Sequence, residues 1–180
     1  GIQPITADFR GFLFQDSPVG VRLFGTRDNN RWQYNLGWFR RLEKDTNSGL
    51  NDVSAGLRDD DVLLFNVYRQ DFPVAGFTSQ LVIVHNRNRE TVAKFIDANG
   101  FLVRPAAIGI QKNREYDVTY VGYNGDGHFG RWNLSTSVYL ATGKESPATF
   151  VDLESDISAV FAAVEVSRDF DWLRLRGTIV

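Results

Sequence analysis

Arg31-Trp32-Gln33-Tyr34-Asn35-Leu36-Gly37-Trp38-Phe39-Arg40-Arg41 is the stretch on which the fold turns. Trp32, Tyr34, Leu36 and Trp38 alternate with Gln33, Asn35 and Gly37. That is the period of two of a β-strand with unlike faces. Wound as a helix, the four large residues would scatter around the axis. Trp32 and Trp38 stand six residues apart, about 20 Å along a strand. At a tilt near 40° this is comparable to the height of an apolar bilayer band, so the two tryptophans are expected at opposite membrane interfaces.

The same period recurs outward from this strand. In Arg131–Leu140, Trp132, Leu134, Thr136, Val138 and Leu140 oppose Asn133, Ser135, Ser137 and Tyr139. In Tyr116–Tyr123, Val118 and Tyr120 oppose Asp117 and Thr119, and at the C-terminus Leu173, Leu175, Gly177 and Ile179 oppose Arg174, Arg176 and Thr178. Asp61–Gln70 and Ile157–Val166 alternate less cleanly. Asp8–Gln15, Val21–Thr26 and Phe77–Asn86 carry apolar residues on both sides but have strand-like composition. The expected fold is an all-β antiparallel up-and-down meander of about eight to nine strands, with 1–180 as a single β-barrel region.

The connections are asymmetric. Short turns at Arg27–Arg31, Asp71–Gly76, Asn124–Gly130 and Ser167–Asp171 contrast with long polar connections at Glu43–Asp61, Arg87–Glu115 and Thr142–Ser155. Aromatics border the short turns. Tight turns at one rim, long loops at the other and aromatics at the boundary suit a transmembrane β-barrel. Trp32, Tyr34, Trp38, Phe72, Phe77, Phe129, Trp132 and Trp172 are the expected membrane-interface aromatics. Gln33, Asn35, Asp117, Asn133, Ser135, Glu165, Arg174 and Arg176 are the expected lumen residues. Arg22 and Arg131 are candidates to join the lumen arginines, which would favour anions unless Asp117 and Glu165 cancel them. Arg40, Arg41, Arg87 and Arg89 end their strands on the long-loop side, where arginine forks suit lipopolysaccharide phosphates.

An odd strand count is awkward for a closed barrel. No export signal is visible at Gly1-Ile2-Gln3-Pro4-Ile5, methionine is absent, and the chain stops in strand-like sequence at Ile179-Val180. The expectation is therefore an excerpt of a longer barrel.

The formal net charge of -2 gives no basic surface for nucleic acid, and the absence of cysteine excludes disulfides and thiolate metal sites. No run approaches the roughly 18 apolar residues of a membrane helix. Gly125-Asp126-Gly127-His128-Phe129-Gly130 has the letters of a dinucleotide fingerprint, but a strand follows it where that fingerprint needs a helix. His85 and His128 lack acidic partners at metal-ligand spacing. Asp59-Asp60-Asp61 and Asp45-Thr46-Asn47-Ser48-Gly49 lack the spacing of a calcium loop. No cofactor, metal site or enzymatic activity is expected. Glu90–Ile96 has room for a short helix within its loop.

Phe9-Arg10-Gly11-Phe12-Leu13-Phe14-Gln15-Asp16, Asp28–Leu36, Asp97–Pro105, Gly125–Trp132 and Asp171–Gly177 carry a resemblance to Gram-negative outer-membrane barrel proteins of the porin-like type. The chain looks like an interior stretch of such a barrel. The resemblance implies transport: a passive or solute-selective channel for small hydrophilic solutes, or the barrel part of a transport assembly. Its surroundings would be outer-membrane lipid and lipopolysaccharide, with room for a partner protein in the lumen. The main alternative is a soluble lipocalin-like β-barrel binding a small apolar ligand, since period two alone does not say which face meets water. A barrel lipase or protease is a further alternative, needing a nucleophile beside a histidine.

Overall fold

The computed structural model describes residues 1–45, 48, 50–54, 56–89, 95–96, 102–104, 115–146 and 154–180. Its strands, in chain order, are β1 (Ile5–Thr6), β2 (Gln15–Asp16), β3 (Val19–Arg27), β4 (Trp32–Leu42), β5 (Leu57–Gln70) and β6 (Phe77–Asn88), followed by β7 (Phe95–Ile96), β8 (Leu102–Arg104), β9 (Tyr116–Phe129), β10 (Trp132–Glu145), β11 (Ser155–Asp169) and β12 (Arg174–Ile179). No helix occurs among the described residues. Eight of the strands form one antiparallel meander in the order β12-β11-β10-β9-β6-β5-β4-β3. Among the described residues, β12 carries no further strand on its outer edge, and β3 carries only an isolated bridge from Ile2 to Val19 at its start.

The asymmetric connections separate as expected. Residues 28–31, 71–76, 130–131 and 170–173 close the hairpins at one rim, and the long connections leave from the other. Turn chemistry accounts for the short ones. Asp28, Asn29, Asn30 and Asp71 adopt positive φ, which short polar side chains tolerate best after glycine. The Gly76 amide also donates to the Asp71 carboxylate at 2.9 Å.

Two expectations change. Asp8–Gln15 is not a strand of the sheet, which removes the ninth strand. The Asp8 carboxylate accepts amide hydrogens from Arg10, Phe12 and Leu13 at 3.0–3.2 Å. Gly11 turns the chain with φ 69°. The resulting loop, closed by the β1–β2 pair, lies across one face of the sheet. The turn expected at Asn124–Gly130 is also much shorter, because β9 runs on to Phe129. Gly125 and Gly127 are strand residues there. A Cβ on Gly125 would sit 2.2 Å from the Phe77 ring, so glycine is what lets that ring lie flat on the strand. Of the helix considered at Glu90–Ile96, only Phe95–Ile96 is described, and it is strand. Most of Asp97–Pro105 lies outside the described residues.

The N-terminal segment defines an inner face. Ile5, Ala7 and Phe14 pack on Phe39, Val62, Leu64, Val82, Val84 and Tyr139. The inner face is thus not polar throughout: valine and leucine line its middle, with Asn66, Gln80 and Asn124 towards the turn side and Asp60, Asn86 and Asn88 towards the long-loop side. This accounts for the apolar residues on both sides of Phe77–Asn86 and for the weak alternation of Asp61–Gln70.

Candidate functional site

The outer face is decided by register. Leu23, Leu36 and Phe65 are cross-strand neighbours on β3, β4 and β5, as are Leu81 and Tyr123 on β6 and β9 and Val138 and Tyr123 on β10 and β9. All of them are exposed, Leu36 and Trp38 at 52 % each. Val160, Val164, Val166, Leu175 and Ile179 continue the apolar surface on β11 and β12. Monomeric soluble proteins rarely carry a contiguous apolar surface spanning a whole sheet.

Both borders of this band are built by recurring devices. At the turn rim, the Arg69 guanidinium lies over the rings of Trp32 and Phe72, at 4.7 and 4.3 Å. Arg168 does the same between Trp132 and Phe170, at 5.0 and 5.1 Å. Each cation thereby presents an aromatic surface to its surroundings. At the opposite rim, Arg40, Asp61, Arg87, Asp117, Lys144 and Asp156 are successive cross-strand partners on β4, β5, β6, β9, β10 and β11. The row alternates in sign across six strands. Opposite charges directly across a sheet attract, weakly where solvent screens them, and alternation leaves no like-charge neighbours. Arg40 grips Asp61 with two hydrogen bonds of 2.9 Å. From Trp32 to Arg40 the band measures about 26 Å along the strand, or about 20 Å in height at a tilt near 40°.

Most of the aromatics expected at an interface are exposed. Trp32, Tyr34, Trp38 and Trp132 are exposed on the outer face, with Trp32 and Trp38 towards opposite borders, and Phe72 and Trp172 are exposed in turns. Phe77 differs: it is 7 % exposed, because it stacks on Phe129 at 6.2 Å and covers the strand glycines.

Among the arginines assigned to lipopolysaccharide, Arg40, Arg87 and Arg89 lie at the charged row, Arg89 donating to Asp117 at 3.1 Å. Arg41 departs from that group. It turns to the inner face and pairs with Asp16 and Asp60 at 3.1 and 3.2 Å. Asp16 also receives the Lys44 ammonium at 2.5 Å. Burial alone would raise the Asp16 pKa, but the hydrogen bonds from Lys44, the Ser17 amide and Arg41 together outweigh it and hold the carboxyl below its ordinary 3.8. This cluster fastens β2 to β4.

Asp117 likewise lies on the face opposite the other residues expected in a lumen. Register places it on the outer face opposite Arg87, with His85 Nε2 at 3.1 Å. The sequence reading had assumed that Val118 and Tyr120 point outward, whereas Val118 is buried on the inner face. His85 Nδ1 also lies 3.0 Å from Thr119 Oγ1. Thr119, His85 and Asp117 therefore stand in the order of a hydrolase triad. However, the amides around them belong to ladder pairing between β6 and β9, and an oxyanion needs preorganised free donors.

The other lumen candidates gather on the inner face. Asn35 donates to Asn66 at 2.6 Å. Asn66 and Gln80 both donate to the Ala7 carbonyl, at 2.9 and 3.0 Å. Gln80 accepts from the Phe9 amide and from Asn124, at 3.1 and 3.0 Å. The Tyr139 hydroxyl lies 2.6 Å from both Asp8 Oδ2 and Asn124 Oδ1. Gln80 and Asn124 are fully buried, and buried amides of this kind are tolerated because their bonds are made. Sequence reading missed this network, since Asp8 and Gln80 lie 72 residues apart. Gln33 shares the inner face of β4 with Asn35.

Nearer the edge, Asn133, Ser135, Glu165, Arg174 and Arg176 line a polar cavity of about 590 Å³ together with Arg10. Ser135 bonds Asp126, Arg174 bonds Asp169, and Arg176 lies 3.4 Å from Glu165. Among the described residues no group of three metal-ligating side chains is present, and there is no helix long and apolar enough to cross a membrane, which says nothing of strands.

These features define an all-β antiparallel meander sheet compatible with a β-barrel, its outer face apolar and its inner face occupied by its own N-terminal segment. Comparison with protein-family models and with curated proteins returns no match.

Proposed function

We propose that this chain is the barrel-forming region of a porin-like outer-membrane protein that passes or selects small hydrophilic solutes. It would serve as a channel or as the barrel of a transport assembly in a Gram-negative envelope. The observation that carries the reading is the exposed apolar band with its two borders, stacked arginine–aromatic sets at one rim and an alternating charge row at the other. Such a face suits hydrocarbon, with interfaces at both rims. The reading requires the free edges of β3 and β12 to be paired in the membrane, with each other or with further strands, because unpaired edges are costly in lipid. Arg40, Arg87 and Arg89 then meet the headgroup layer, where lipopolysaccharide phosphates would compete for guanidiniums now shared with Asp61 and Asp117. The inner segment narrows the path, so conduction would be small or solute-gated. The activity is non-enzymatic.

Vesicle flotation tests the placement, and planar-bilayer recording tests conduction. The expectation is co-flotation with vesicles and discrete conductance steps. A monodisperse protein in plain buffer that stays at the bottom of the gradient would instead favour the soluble ligand-binding barrel.

A further inference from the structure

Three cavities run end to end along the inner face of β10 and β11, and they change character on the way. The polar one holds Asn133 and Ser167 near the turn rim. A middle one of about 110 Å³ shares Arg10, Ser135 and Glu165 with it and adds Ser137 and Ala163. The third, of about 360 Å³, shares Phe12 and Phe161 with the middle one and continues past Tyr120, Ala141 and Ala159. On β10 the sequence of contacts is Asn133, Ser135, Ser137, Tyr139, Ala141, so the trough follows the strand from 133 to 141, about 26 Å.

One end is lined by arginines and carboxylates and the other is greasy. Arg10 and Arg176 converge on a single carboxylate, Glu165, at 3.9 and 3.4 Å. With Asp126 on the same cavity wall and Arg174 held by Asp169, the charges at this end balance, so what it offers an arriving anion is the spare donors of Arg10 and Arg176, which share one carboxylate. At the far end, the rings of Phe12, Tyr139 and Phe161 pack at 5.4–6.2 Å and form an apolar wall. The small side chains of Ala141 and Ala159 keep that end open.

We infer that this trough is a binding site for a small anionic amphiphile, a carboxylate headgroup held by Arg10 and Arg176 and an apolar tail laid along Phe12, Phe161, Ala141 and Ala159. The inference rests on the reading of the inner face as a lumen, but not on that lumen being an open channel. Arg10 and Phe12 both come from the N-terminal segment, so the segment that narrows the interior also supplies one wall and one cation of the site.

The test uses the chain reconstituted in lipid nanodiscs, with dodecanoate, dodecanol and dodecyltrimethylammonium as probes and empty discs as the blank. The expectation is saturable dodecanoate binding, one per chain, at least about tenfold tighter than dodecanol, and no saturable binding of the cation. Arg10→Gln with Arg176→Gln should bring dodecanoate down to the dodecanol level, and Glu165→Gln should tighten dodecanoate. Ala141→Trp should abolish binding of both dodecanoate and dodecanol. Equal uptake of all three probes, or none above empty discs, would overturn the site. Flotation of the same preparation is read separately: a chain that floats but does not bind refutes the trough alone. A chain that does not float refutes the membrane reading, and the probes are then titrated in plain buffer with the same criteria.

Discussion

The two faces of this sheet invert the ordinary distribution of side chains. On the outer face Trp38, Leu36 and Leu140 are about half exposed, while on the inner face Gln80 and Asn124 have no exposure at all. In a water-soluble domain the informative anomalies are exposed apolar patches and buried polar groups, and this chain has both on one sheet. The difference teaches that the faces are stabilised by different means. The inner face is held by satisfied hydrogen bonds to its own N-terminal segment plus a modest apolar core. On the outer face the large side chains meet one another at the borders, in the Arg69 and Arg168 stacks and the Phe77–Phe129 pair, and the middle of the band stays about half exposed.

The sharpest way to break this comparison is to place the same charge on each face of β4. Leu36→Arg, at mid-band, should destabilise the chain folded in lipid vesicles by about 2–4 kcal/mol, while Gln33→Arg should change it by under about 1 kcal/mol. Urea titration of the two variants in vesicles measures both. Equal effects would mean that neither face is lipid. On the inner face, Asp8→Ala removes the acceptor of three amides and leaves Tyr139 with one partner fewer. Unmade buried bonds cost about 1–3 kcal/mol each. The expected outcome is selective loss of hydrogen-exchange protection at Phe12 and Leu13, with the amides of β9 and β10 unchanged. A smaller effect belongs to Gly127→Val. Its side chain would collide with Phe77 and Phe129, an overpacking of about 1–3 kcal/mol, visible as a lowered midpoint without loss of strand signal.

The smallest effect is pH dependence at the long-loop rim. Asp16 has a lowered pKa in the folded chain, so its contribution is fully present above the ordinary 3.8 and is lost as pH falls through the folded value below that. Acid titration of wild type against Asp16→Asn should show the variant less sensitive in that window. Identical acid curves would mean that the Asp16–Arg41–Lys44 cluster does not act in folding.

Much of the fold was legible because period two is a strong signal where the faces differ most. Trp32–Trp38 and Trp132–Leu140 were read correctly, as was the separation of short turns from long connections. What escaped has physical reasons. Phe9–Phe14 has the aromatic content of a strand, and only the reach of the Asp8 carboxylate to three amides turns it into a loop. Gly125 and Gly127 look like turn residues until the Phe77 ring is seen lying over them. Asp117 escapes because period two separates Val118 and Tyr120 from Asp117 and Thr119 without saying which pair faces outward. The alternating charge row needs the register of six strands, which no single segment encodes. Of the inner site, Arg174, Arg176 and Glu165 were found by alternation on their own strands, whereas Arg10 and Phe12 come from the misread segment.

The absence of cysteine allows the central claim to be tested position by position. Single substitutions along β10 (Asn133→Cys, Leu134→Cys, Ser135→Cys, Val138→Cys, Leu140→Cys) would be labelled in vesicles with a water-soluble and a lipid-soluble maleimide. The account predicts period two: positions 134, 138 and 140 react with the lipid-soluble reagent only, and 133 and 135 with the aqueous one. Aqueous labelling of all five, or labelling without alternation, would contradict it.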